Sequence, residues 1–207
     1  MKKKLFVVLS LMLLLVPVFG MAKEKKYEST NLKQTFEIEE IEIQNEKYKE
    51  TDKQVTIYLF RGDGCGYCHS FLEFLNDISE EYGKYFKLES YEIWANSDNN
   101  ELWKKVSNFF GEEAGGVPYI VIGDEVFRGY NEQYNDAMIK KIKEEYKSKD
   151  KYDVLEEIRI AEEKAEQKAK REKVMPIVWD GIFTLISTLS IMAFISYKDK
   201  KNMKKKK

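Results

Sequence analysis

Residues 55–69 read Val55-Thr-Ile-Tyr-Leu-Phe-Arg-Gly-Asp-Gly-Cys65-Gly-Tyr-Cys68-His69. The run from Val55 to Phe60 is β-branched, aromatic and nearly all apolar, which suits a central strand covered on both faces. Arg-Gly-Asp-Gly then breaks the pattern as a loop. From Cys65 the apolar residues change period. Phe71, Leu72, Leu75 and Ile78 fall on one stripe, which predicts a helix running to Tyr82. The chain has two cysteines, and both lie at this junction between a buried strand and a helix.

That position has chemical meaning. A helix N-terminus offers unpaired amides and the positive end of the helix dipole, and both favour an anion. Thiolate, not thiol, attacks a disulfide. Each unit by which a cysteine pKa falls corresponds to about 1.36 kcal/mol in favour of thiolate. Cys65 is therefore the candidate nucleophile. Cys68, three residues on, is placed to resolve a mixed disulfide by intramolecular attack.

Other readings of the pair are weaker. A structural zinc site needs four ligands, and two cysteines with one adjacent histidine do not supply them, so no metal is expected. A purely structural bridge over so short a loop constrains little of the unfolded chain. Cys65-Gly-Tyr-Cys68-His69 also satisfies the c-type haem attachment pattern, but the motif follows a buried strand in an α/β pattern. His69 reads either as a surface residue or as a charge that tunes the thiol pair.

Downstream, Phe86–Trp94 predicts a second central strand. Asn99–Phe110 is helical, with Leu102, Trp103 and Val106 among its apolar positions. Val117-Pro118 precedes a short strand at Tyr119–Ile122. Gly123-Asp124 turns the chain into an antiparallel strand over Glu125–Tyr130. Asn131 can cap a last helix to about Tyr146, with Met138, Ile139 and Ile142 inward. The order is strand, helix, strand, helix, strand, strand, helix: an α/β sandwich with a central mixed sheet, placed at residues 51–148. Residues 23–50 read as a tether and the start of the domain, in which Phe36, Ile38, Ile41 and Ile43 fit either a strand and turn or a short helix.

The two ends carry addresses. Lys2–Lys4 followed by the apolar run Leu5–Phe19 has the grammar of a signal peptide, with Gly20 and Ala22 as small residues before a cut after residue 22. An uncleaved anchor is the alternative. Near the other end, Pro176–Tyr197 spans 22 residues, about 33 Å as a helix, which matches a bilayer core. Residues 175–197 are thus expected to cross a membrane, and the lysine-rich tail 198–207 to stay cytoplasmic by the positive-inside rule. Residues 149–174 are rich in strong helix formers and read as a charged helical stalk, solvated rather than coiled-coil because its apolar stripe decays to alanine. This topology puts the cysteine-bearing domain outside the cytoplasm, where disulfides persist. A net charge of −1 supports no nucleic-acid partner.

Tyr58–Tyr130 resembles the thioredoxin superfamily: strand, C-x-x-C, long helix, strand, helix, then Val-Pro before a hairpin. The resemblance implies a cis proline at Pro118 facing the cysteines and keeping metal away from them, with the backbone of Val117 pairing to an extended substrate segment. Pro118 is the single proline outside the two terminal apolar regions. The dipeptide Gly66-Tyr67 departs from the Gly-Pro of typical thioredoxins. Leu59 stands where they carry a buried acid. Cys-Gly-Tyr-Cys-His is instead similar to periplasmic disulfide isomerases, and the whole is similar in style to thioredoxin-like accessory proteins of bacteriocin export. The implied activity is thiol–disulfide exchange with exported cysteine-containing proteins, with no cofactor beyond a Cys65–Cys68 disulfide. The membrane helix has no cysteine, so a separate redox partner is implied. An accessory protein that uses the fold only as a peptide groove is the alternative.

Overall fold

A computed structural model describes residues 27–205. The expected leader, residues 1–22, lies outside the described residues, as do the last two lysines. Among the described residues the chain forms a four-stranded mixed sheet and five α-helices. This is the α/β class and element order expected from residue 55 onward.

The sheet order is β2-β1-β3-β4, with β1 at Val55–Arg61, β2 at Phe86–Glu92, β3 at Tyr119–Ile122 and β4 at Glu125–Arg128. β1 pairs parallel with β2 and antiparallel with β3, and β3 pairs antiparallel with β4. Side chains alternate across β1. Ile57 and Leu59 enter one core with Phe71, Leu72, Leu75, Met138 and Ile142. Tyr58 and Phe60 enter the other, with Tyr91, Trp103, Val106 and Tyr119. A central strand buried on both faces explains why Val55–Phe60 shows no polar alternation.

Helix α1, Leu32–Ile38, settles the alternative left open ahead of the domain. Asn31 caps it by accepting from the Gln34 amide, and the Gln34 side chain accepts from the Asn31 amide. This reciprocal capping box favours a helix over the strand and turn. At its other end Ile41 N–H bonds Phe36 O and Glu40 N–H bonds Glu37 O, the two bonds of a Schellman stop. Leu32, Phe36 and Tyr48 join the first core. Just before α1, Thr30 exchanges two backbone bonds with Ser90 of β2.

Helix α2, Gly66–Tyr82, packs on that same core. Helix α3, Ser97–Phe109, is capped by Asn96 and covers the other face. Asn131 caps a 3-10 turn at Glu132–Tyr134, so helix α4 begins later, at Asn135, and runs to Lys147. Met138 and Ile142 of α4 are fully buried and Ile139 is half-buried.

Helix α5, Val154–Lys205, is continuous through Pro176. Its Val154–Ile195 portion contains a window long and apolar enough to cross a membrane. The segment read as a stalk begins on the domain. Val154 and Ile158 are buried against Tyr58, Phe60 and Tyr119 in the second core, each burial stabilising by about 1.5–3 kcal/mol. Asp153 caps the helix by accepting from the amides of Leu155 and Glu156, and also accepts from the Tyr58 hydroxyl at 2.9 Å. Lys105 of α3 pairs with Glu162 at 2.8 Å. Beyond that the helix is exposed almost throughout as far as Ile195.

Candidate functional site

β1 delivers the chain to the end of the sheet at Arg61, and the loop 62–65 turns it into α2. Two glycines are required there. Gly64 has φ 71°, a left-handed conformation that costs other residues. A Cβ on Gly62 would meet the Trp94 indole at 2.2 Å. Trp94 therefore lies flat against the loop backbone while remaining 62 % exposed.

Cys65 is the N-cap of α2 and is bonded to Cys68, with their Cα atoms 5.2 Å apart. The Cys68 amide donates to Cys65 Sγ at 3.2 Å. The His69 amide donates to the Cys65 carbonyl at 3.0 Å, and the Cys65 amide donates to the Gly62 carbonyl at 3.2 Å. The two sulfurs are not equivalent. Cys65 is 9 % exposed and Cys68 is 0 % exposed, so an incoming thiolate reaches Cys65. A thiolate released at Cys65 sits where the Cys68 amide already points, which stabilises it.

The Val117–Pro118 peptide is cis. Phe60 is opposite Tyr119 in the β1–β3 ladder. The same register carried one residue further sets Pro118 beside Arg61, where the cysteine loop begins. Pro118 is buried and Val117 half-buried, and the Pro118 carbonyl accepts from the Gly129 amide at 2.7 Å. Gly66 opens α2 in open space. Tyr67 projects into solvent, 69 % exposed. Leu59 is buried between Ser90 and Ile120, so hydrocarbon occupies the strand position where the thioredoxin resemblance leads one to look for an acid.

His69 is tied into a charge network that the sequence reading did not foresee. Arg61 is buried. Its Nη1 lies 2.5 Å from Glu39 Oε1 and its Nε donates to Ser90 Oγ at 3.2 Å. The other Glu39 oxygen is 3.8 Å from His69 Nδ1, and Glu73 Oε1 is 3.7 Å from His69 Nε2. The network joins the end of α1, the end of β1, β2 and the first turns of α2. One signal was present: Arg61 is a charge directly continuing an apolar strand, and such a residue needs a buried partner.

Glu92 holds the other side of the loop. Its carboxylate accepts from the amides of Trp94, Ala95 and Asn96 at 2.7, 2.9 and 3.2 Å. Partial burial raises its pKa, but these donors and the Asp63 amide outweigh burial and hold it below the usual carboxylate range. Glu92 thus fastens the Trp94 turn to the cysteine loop. Among the described residues no group of three or more His, Cys, Asp and Glu side chains is arranged to hold a metal ion.

Chemically, the arrangement is a Cys-x-x-Cys disulfide with one accessible sulfur at a helix N-terminus, which is compatible with thiol–disulfide chemistry. Comparison with protein-family models, with curated proteins and with solved structures found no match.

Proposed function

We propose that the chain is a thioredoxin-like thiol–disulfide oxidoreductase, anchored by α5 in a membrane with its domain on the extracytoplasmic side. The observation that carries this reading is the Cys65–Cys68 disulfide at the N-terminus of α2, with only Cys65 reachable from solvent. A client thiolate attacks Cys65 Sγ and Cys68 leaves as thiolate. A second client thiolate then attacks the client sulfur of the mixed disulfide and releases Cys65. Two electrons pass from client to protein, and the reverse sequence oxidises the protein. No cofactor is needed beyond the disulfide. Clients are exported cysteine-containing polypeptides. Because the apolar stretch of α5 has no cysteine, a separate redox protein restores the pair.

Hydrocarbon at Leu59 supports a role other than general reductant. Without a buried carboxylate on β1, proton transfer to and from Cys68 lacks the acceptor that resemblance to reducing thioredoxins would supply. Equilibrating the full-length protein in glutathione buffers and counting free thiols by mass gives its reduction potential. The expected value is more oxidising than about −270 mV, the value for thioredoxin. A value at or below that overturns the assignment of direction. Failure of the thiols to titrate as a two-electron pair overturns the reading altogether.

A further inference from the structure

The chain is nearly neutral, with 35 Lys and Arg against 36 Asp and Glu, yet the charges are sorted. Residues 62–83, which carry the cysteine loop and all of α2, contain Asp63, Glu73, Asp77, Glu80 and Glu81 and no lysine or arginine. Residues 34–46, which lie against α2, contain Glu37, Glu39, Glu40, Glu42 and Glu46 and again no lysine or arginine. The segments 88–103 and 106–127, which bring Trp94 and Pro118 to the site, are also free of both. The cysteine loop, α2 and the segment against α2 thus carry acidic side chains and no lysine or arginine, while Arg61 beside them is buried on Glu39.

Part of that surface is a cleft. It opens at His69, one residue from Cys68, and is lined by Glu40, Glu42, Glu73 and Asp77. His69, Glu73 and Asp77 are spaced four apart on α2. They form one stripe about 12 Å long at 1.5 Å per residue, the reach of about four residues of extended chain. The opposite wall is fixed. Buried Asn76 accepts from the Gln44 amide at 3.0 Å and donates to the Glu42 carbonyl at 2.7 Å. Glu39, beneath, is paired with Arg61, but Glu40, Glu42, Glu73 and Asp77 face solvent.

We propose that the client of the Cys65–Cys68 disulfide is a cationic polypeptide, with lysine or arginine within about four residues of the reacting cysteine lying along this cleft. The inference rests on the disulfide-exchange reading and names its substrate class. A field of one sign around a reactive centre raises the encounter rate of oppositely charged partners and disfavours like-charged ones. The chemistry is unchanged: the peptide dithiol becomes a disulfide, and two electrons and two protons pass to Cys65 and Cys68.

The test uses the full-length oxidised protein in nonionic detergent and two reduced dithiol peptides of equal length. One carries three lysines before its first cysteine, the other three glutamates. At low salt the lysine peptide is expected to react about tenfold faster. In about 1 M salt, where screening acts within about 3 Å, the ratio falls towards one. Glu42→Gln, Glu73→Gln and Asp77→Asn together lower the low-salt ratio. Glu125→Gln, at the far end of the β3–β4 hairpin, does not. Equal rates for the two peptides, or a ratio insensitive to salt, overturn the proposal while leaving disulfide exchange intact. If neither peptide reacts, the exchange reading falls and this inference falls with it.

Discussion

Replacing Arg61 by methionine removes the buried cation that holds Glu39, and the consequence follows from the pair's surroundings. The Arg61 and Glu39 side chains are 3 % and 8 % exposed. Without Arg61, the Glu39 carboxylate stays largely out of water, with the His69 ring 3.8 Å away through Nδ1 and no arginine to balance its charge. Removing one member of a buried pair costs about 3–5 kcal/mol. With an m-value of about 1.5–2 kcal/mol per molar urea, the midpoint of domain unfolding drops by about 2 M. Adding Glu39→Gln removes the stranded charge, so the double variant loses less than Arg61→Met alone. A coupling energy of about 2 kcal/mol or more is expected from the cycle of two single variants and the double. The assay is urea unfolding of the full-length protein in nonionic micelles, followed by tryptophan fluorescence, since Trp103 is buried in the second core. Additive single effects, or an Arg61→Met shift corresponding to less than about 0.5 kcal/mol, would refute the reasoning.

Three further outcomes are expected. Glu92→Gln destabilises the domain by about 1–2 kcal/mol at pH 7. Because folding lowers the Glu92 pKa from 4.5, its contribution is complete above the unfolded value and is lost as pH falls through the folded one. The wild-type and variant urea midpoints should therefore differ above pH 4.5 and converge as the pH falls below it. Asp153→Ala removes both the cap of α5 and the acceptor for the buried Tyr58 hydroxyl, a loss of about 2–3 kcal/mol. Hydrogen exchange at residues 155–158 reads it as faster exchange confined to the start of α5. Glu40 has φ 56°, so Glu40→Gly should stabilise by about 1 kcal/mol, seen as a higher urea midpoint.

What the sequence revealed and what it hid have the same physical origin. Val55–Phe60 was legible because a strand buried on both faces has no polar alternation. The site of Cys65 and Cys68 was legible because a strand-to-helix junction is a local pattern. Phe86–Trp94 and Glu125–Tyr130 were placed correctly but end earlier, at Glu92 and Arg128. At the first boundary, the Glu92 carboxylate takes the amides that would have continued the strand. Asn131 is a cap, as expected, but of a single 3-10 turn.

Contacts between residues distant in sequence were not legible. Glu39 and Arg61 meet across 22 positions, and Tyr58 and Asp153 across 95. The apolar stripe Val154, Leu155 and Ile158 was visible. Whether it met solvent or the sheet depended on how much of the second core α3 left uncovered, and no local pattern encodes that. The capping pattern at Asn31 and Gln34 was readable in principle. The dense charges of residues 23–50 obscured it.

The central claim is that exchange passes through a mixed disulfide between Cys65 and a client, for which Cys68 is the one resolving thiol the chain itself holds. The direct measurement is trapping in cells. A Cys68→Ser variant of the full-length chain is acid-quenched, alkylated and resolved without reductant. Reductant-sensitive adducts on Cys65 are predicted, and a further Cys65→Ser substitution should abolish them. A Cys68→Ser chain that carries no adduct, or adducts that persist without Cys65, would contradict the account.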